Sequence, residues 1–143
     1  MYGKARRGGL KPVLQLQRGR KMAKLDQFQK SVDGLRNAIP ELRGVLLAST
    51  EGLPIAHSLS NGTDPARMAA MAAAASSLGR RVSDTLHAGT FEEISVAGAE
   101  GHIFLYSAGA KGVLAVIGPA GCNAGLVHLE ARGIAKELGE QFN

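Results

Sequence analysis

The sequence predicts an α/β domain of the α+β kind: a five-stranded antiparallel sheet flanked by helices, in the order αββαβββα. Three observations predict it. Leu25, Phe28, Val32, Leu35 and Ile39 step by three and four residues, the spacing of one helix face. Five short apolar or alternating runs follow, and consecutive ones within each group are joined only by glycine-bearing turns. Between the second and third of these runs lies an alanine-rich stretch, residues 64–86, with a complete helix start.

The first helix is expected over residues 24–39, where Pro40 ends it. Val45-Leu46-Leu47-Ala48-Ser49 then reads as a buried strand, and Thr50-Glu51-Gly52 as a tight turn. Leu53, Ile55, His57 and Leu59 alternate with smaller residues, a strand that Pro54 confines to its start or to a sheet edge. In the second helix Asp64 is placed to cap the first turn, and Pro65 suits the first helical position. Residues 91–97, 102–108 and 113–117 are three further strands. The last is the most continuously apolar, as a central strand requires. A final helix runs over residues 123–141, with Val127, Ala131, Ile134, Leu138 and Phe142 facing inward. The two groups of strands join most simply if the last strand pairs beside the first. That leaves the strand from Phe91 at a free edge.

The second helix has no charge between Arg67 and Arg80 and so offers two uncharged faces. Met68, Met71, Ala75, Leu78, Val82 and Leu86 form one stripe, and Ala66, Ala69, Ala70, Ala73 and Ser77 form another. The large residues are expected to cover the sheet and the small ones to admit a second helix from another copy. Ala73→Glu is then expected to split the dimer and leave the fold intact. The edge strand, with Phe91, Glu93 and Ser95, is expected to extend the same dimer interface; Glu92 and Glu93 blunting that edge is the alternative. Arg67, Arg80 and Arg81 flank the uncharged stretch and are the candidates for contact with an acidic or phosphate-bearing partner.

Composition narrows the function. The chain of 143 residues has the length of one domain, and its net charge of +5 is unevenly spread. Nine of its 17 basic residues fall within residues 1–30 against Asp26 alone, which leaves the rest mildly acidic. Residues 1–21 are read as a basic, disordered arm and residues 22–143 as the domain, which has no general nucleic-acid-binding surface. No apolar run approaches the ~18 residues of a membrane span. A single cysteine excludes an internal disulfide, and a cytoplasmic location is expected.

No catalytic set emerges, and neither a cofactor nor a metal is expected. The four histidines, His57, His87, His102 and His128, lack metal-ligand spacing. Cys122 opens the last helix, where the helix dipole would favour a thiolate, but no histidine is placed beside it by the sequence. Gly109-Ala110-Lys111-Gly112 leads into a strand and not a helix, which excludes a P-loop.

Residues 44–56, Gly44-Val45-Leu46-Leu47-Ala48-Ser49-Thr50-Glu51-Gly52-Leu53-Pro54-Ile55-Ala56, resemble the first hairpin of the Roadblock/dynein-light-chain family. The later alanine-rich helix, three strands and terminal helix match the same family order over residues 24–142. The resemblance implies a fold related to profilin-like and longin domains, and dimers whose sheets join at an edge and whose second helices pack together. It implies a regulator of Ras-like small GTPases that has no catalytic residues and supplies no arginine finger. A homodimeric, non-enzymatic GTPase regulator is therefore the leading expectation. A scaffold or adaptor subunit without GTPase contact, or a small-ligand sensor, are the alternatives.

Overall fold

The computed structural model describes residues 2–142, with side chains from Lys11 onward. Eight elements follow the expected order: α1 (Tyr2–Ala38), β1 (Gly44–Ser49), β2 (Pro54–Leu59), α2 (Pro65–Thr85), β3 (Glu93–Ala97), β4 (Gly101–Ala108), β5 (Gly112–Pro119) and α3 (Ala124–Gln141). The sheet order is β2-β1-β5-β4-β3, antiparallel throughout. The first and last strands in sequence thus meet at the centre, and β3 stands at an edge as expected.

Three layers result. On one face, α1 and α3 bury Phe28, Val32, Leu35, Val127, Ala131 and Leu138 against Val45, Leu47, Phe104, Tyr106, Leu114 and Val116. On the other face, α2 sets Ala69 and Ala72 against Leu46, Ala48, Leu105, Val113 and Ala115. The period of two along β1 sends Val45 and Leu47 to the first core and Leu46 and Ala48 to the second. Both faces are covered, so β1 and β5 are apolar almost without interruption.

Two expectations change here. The arm expected to be disordered over residues 1–21 is helical from Tyr2, as a continuous extension of α1. Residues 11–23 are all exposed. Their Lys, Arg, Gln and Leu residues tolerate helix although Pro12 and Gly19 oppose it, and extending a helix already nucleated by the packed segment is far easier than starting one. Leu25, expected on the inner face, is 41% exposed, because α1 has run past the sheet before reaching it.

Candidate dimerisation face and partner surface

The start of α2 is built as its sequence requires. The Asp64 carboxylate accepts the Ala66 N–H at 3.0 Å, and Pro65 occupies the first helical position. The buried face of the helix lies, however, between the two expected stripes: Met68 and Ala75 of the large stripe still pack against the sheet, but the rest of that stripe does not. Ala69, Ala72, Ala73, Ser76 and Gly79 are the buried residues. Met71, Leu78, Val82 and Leu86 point outward instead, exposed by 55, 53, 49 and 71%. Ala69 and Ala73 are therefore buried within their own chain, against the expectation that they face a second copy, while Ala66, Ala70 and Ser77 remain exposed.

The physical reason is backbone distance. The sheet supplies the bulk, with Leu46, Leu105 and Val113, so the helix must supply small residues to approach it. A Cβ added to Gly79 would lie 2.4 Å from Cε1 of Phe91, and one at Gly52 would lie 3.4 Å from Cα of Ala70. Phe91, expected at the interface, spends its ring on this packing beneath Gly79 and is half-buried.

The exposed stripe of α2 continues onto β3. Val96 is 52% exposed and shares an apolar hollow with Met68, Met71, Ala75, Ile103 and Leu105. The edge beside it is open in a definite register. Ser107 donates to the carbonyl of Glu92, and Gly98 donates to that of Gly101, each at 2.8 Å. Antiparallel alternation then turns residues 92, 94, 96 and 98 toward β4 and presents the N–H and C=O groups of Glu93, Ser95 and Ala97 outward. Ser95, one of the expected interface residues, is exposed at the centre of this row.

The opposite edge is closed. The side-chain amide of Gln29 on α1 donates to the His57 carbonyl at 2.9 Å, and its oxygen accepts the His57 N–H at 3.3 Å. Arg36 adds bonds to the hydroxyls of Ser58 and Ser60, at 3.1 and 3.0 Å. A helix side chain thus takes the place of a neighbouring strand along β2, one of the ways native sheets protect an edge.

Glu93 has a partner within its own chain. Arg132 of α3 grips its carboxylate in a bidentate pair, Nε to Oε2 at 2.9 Å and Nη2 to Oε1 at 2.6 Å. Chiefly through these hydrogen bonds, and against the effect of burial, Arg132 holds the Glu93 carboxyl below its ordinary value. His128 Nδ1 lies 3.8 Å from the same carboxylate and shares a 2.8 Å hydrogen bond with the Tyr106 hydroxyl. Burial pushes that hydroxyl well above its ordinary range. This cluster fixes the edge strand to α3. Its members are 22 and 39 residues apart in sequence, and no local motif announces them.

Arg67 and Arg81 are exposed, Arg67 before the first residue of the apolar stripe of α2 and Arg81 alongside Leu78, Val82 and Leu86, so they remain available at the rim. Arg80 turns back instead, toward the Gly109 carbonyl at 3.4 Å. Cys122 departs from expectation: burial, with a contribution from Glu41, raises the thiol above its ordinary value, so the helix start does not yield a thiolate. A groove of about 580 Å³ between β3 and α3 is lined by charged Glu93, Arg132 and Lys136 together with apolar Phe91, Tyr106 and Ala135. Among the described residues no group of three potential metal ligands occurs, and no helix is long and apolar enough to cross a membrane.

The domain thus has three layers, one edge guarded at His57, one open edge and an uncovered apolar helix face beside the open one. Residues 28–118 match the Roadblock/LC7 domain, and the chain belongs to that family. Among its relatives is the protein MJ1340 of Methanocaldococcus jannaschii, described only as uncharacterised, which is 28% identical over 106 residues, 74% of this chain and 92% of the relative. Among solved structures, MglB of Myxococcus xanthus superposes with a TM-score of 0.75 at 20% identity, covering 82% of this chain and 89% of its own. A Roadblock/LC7 domain from Streptomyces avermitilis superposes at 0.72 with 24% identity, covering 80% and 96%.

Proposed function

We propose that the protein is a non-enzymatic homodimer that binds and regulates a Ras-like small GTPase in the cytoplasm. The observation that carries the reading is the continuous apolar surface formed by Met71, Leu78, Val82 and Val96 beside the outward-facing backbone of Glu93, Ser95 and Ala97. An exposed apolar patch of this kind marks an interface, and an open strand edge in register with it favours a second copy related by a two-fold axis. Two copies would then form one sheet, with their α2 helices packed over the seam. The likeness to the Roadblock fold supports this arrangement.

Arg67 and Arg81 would lie at the rim of the paired helices, where a third protein with acidic or phosphate groups meets them. Family membership supports a Ras-like small GTPase as that protein. Regulation would follow from differential affinity: a face that prefers one nucleotide state shifts the partner toward it. The test is capture of candidate GTPases loaded with GDP or with a non-hydrolysable GTP analogue. State-dependent capture that Arg67→Glu and Arg81→Glu weaken is expected. Capture indifferent to nucleotide would replace the regulator with an adaptor.

A further inference from the structure

The exposed part of α1 carries a surface that neither the fold nor the dimer explains. Two rows of α1 run at seven-residue steps through the packed segment: Val32 and Ile39 on one, Phe28 and Leu35 on the other, all buried. Continued toward the N-terminus, the first row passes Leu25 to Arg18 and Lys11, and the second passes Lys21 to Leu14. The seam that is apolar against the sheet thus becomes cationic where the helix overhangs it. Arg20 and Lys24 flank this seam. Residues 1–25 hold Lys4, Arg6, Arg7, Lys11, Arg18, Arg20, Lys21 and Lys24 and no acidic residue.

The direction of the overhang is fixed. Gln29 meets His57, while Arg36 meets Ser58 and Ser60, so α1 runs in the same sense as β2. The arm therefore leaves the domain at the Pro54 end of that strand, past the stacked rings of Phe28 and Phe142, whose centroids are 5.2 Å apart. Its cationic seam drifts from the azimuth of the packed face by only about 20° per seven residues, and so looks broadly toward the space just beyond the end of the sheet.

From this placement we infer that the overhanging arm binds nucleic acid through its phosphate backbone, independently of the proposed GTPase reading. From Lys4 to Lys24 the helix spans about 30 Å at 1.5 Å per residue. Over that length the arm carries eight basic residues and no acidic one, in two groups either side of the uncharged residues 12–17, and a cationic run of this length suits a duplex, which carries one negative charge per ~1.7 Å of its axis. A folded protein surface seldom offers so long a run of one sign. Repulsion within the arm points the same way: Arg18 and Lys21 are like-charged neighbours at three-residue spacing, a repulsion that a bound polyanion would relieve. A lipid surface is the poorer match. Leu14 shares the cationic seam while Leu16 and Met22 lie away from it, so no apolar face exists to insert. No base-reading group is implied, and binding is expected to be indifferent to sequence.

The test is fluorescence anisotropy of the full chain with a labelled 24-base-pair duplex of arbitrary sequence, titrated from 50 to 200 mM salt. Engagement of roughly five phosphates predicts a slope of log K against log salt of about −4 to −5. Arg18→Glu combined with Lys21→Glu should weaken binding more than ~10-fold and flatten the slope by about 2. Lys136→Glu on α3, a charge change away from the arm, should do neither. Far-UV circular dichroism and elution volume confirm that each variant is folded. Duplex binding that survives the double reversal, or that Lys136→Glu reduces equally, overturns the inference. Tighter binding to vesicles with 30% phosphatidylserine than to the duplex overturns it in favour of a membrane. GTPase capture by the double variant should be unchanged, which separates failure here from failure of the proposed function.

Discussion

Gln29 closes the β2 edge at His57 by meeting both of its outward backbone groups, the carbonyl at 2.9 Å and the N–H at 3.3 Å. One side-chain amide, on a helix 28 residues away, does the work of a strand. β3 is then the more open edge, and the proposed edge-to-edge association would stop at two copies. Gln29→Ala should reopen β2. Its direct cost is about 1 kcal/mol for the two part-exposed hydrogen bonds. The diagnostic result is species larger than a dimer in multi-angle light scattering, rising with protein concentration. A variant that remains strictly dimeric at high concentration would show that β2 needs no such guard.

The observed orientation of α2 separates two substitutions that the sequence alone confuses. Leu78→Glu lies on the exposed stripe and should weaken the dimer at least ~30-fold, the about 2 kcal/mol of an interface hot spot, with the melting transition of the monomer retained. Ala73→Glu is buried near the Gly52 turn, where it would bury a carboxylate without a partner, and should cost the fold itself roughly 3 kcal/mol or more. Sedimentation velocity and thermal unfolding on the two variants distinguish the effects. Equal behaviour of the pair would contradict the assigned orientation of the helix.

Gly79 and Phe91 are a matched pair. In an exposed helix, Gly→Ala gains about 1 kcal/mol. Here the added methyl meets the ring of Phe91, and overpacking of this kind costs about 1–3 kcal/mol. Gly79→Ala should therefore destabilise, and in a Phe91→Leu background the same change should cost less or become stabilising. The double-mutant cycle in chemical denaturation measures that coupling.

The Glu93–Arg132 pair makes a pH prediction with a definite sign. A carboxyl whose folded pKa is depressed contributes stability that is present above its ordinary unfolded value and is lost as pH falls through the folded one. In a carbon-detected NMR titration Glu93 should therefore turn over below 4.5, its reference value, and move upward in Arg132→Ala. Because the pair anchors the open edge to α3, Arg132→Ala should also weaken dimerisation at neutral pH. Unchanged dimerisation would restrict the pair to local stability.

The element order, the Asp64 cap, the Pro40 stop and the edge position of β3 were all legible in the sequence. Each depends on residues adjacent in the chain, or on the few ways five short antiparallel strands can be joined. The faces of α2 were not legible. Both lack charge, so hydrophobicity could not rank them, and the size of the facing sheet residues decided which residues turn inward. Nor was the arm's helicity, since a composition poor in apolar residues reveals nothing of a neighbouring helix ready to be extended.

By itself the sequence determined the class of fold, the absence of a recognisable catalytic motif and the helix at its centre, because periodicity, caps and turns are local chemistry. Tertiary structure decided which face of that helix is free, which sheet edge is shut by Gln29, and that Glu93 belongs to Arg132 and not to the solvent. Those outcomes depend on distances between residues 28, 39 and more positions apart, which the folded backbone sets and no local pattern records.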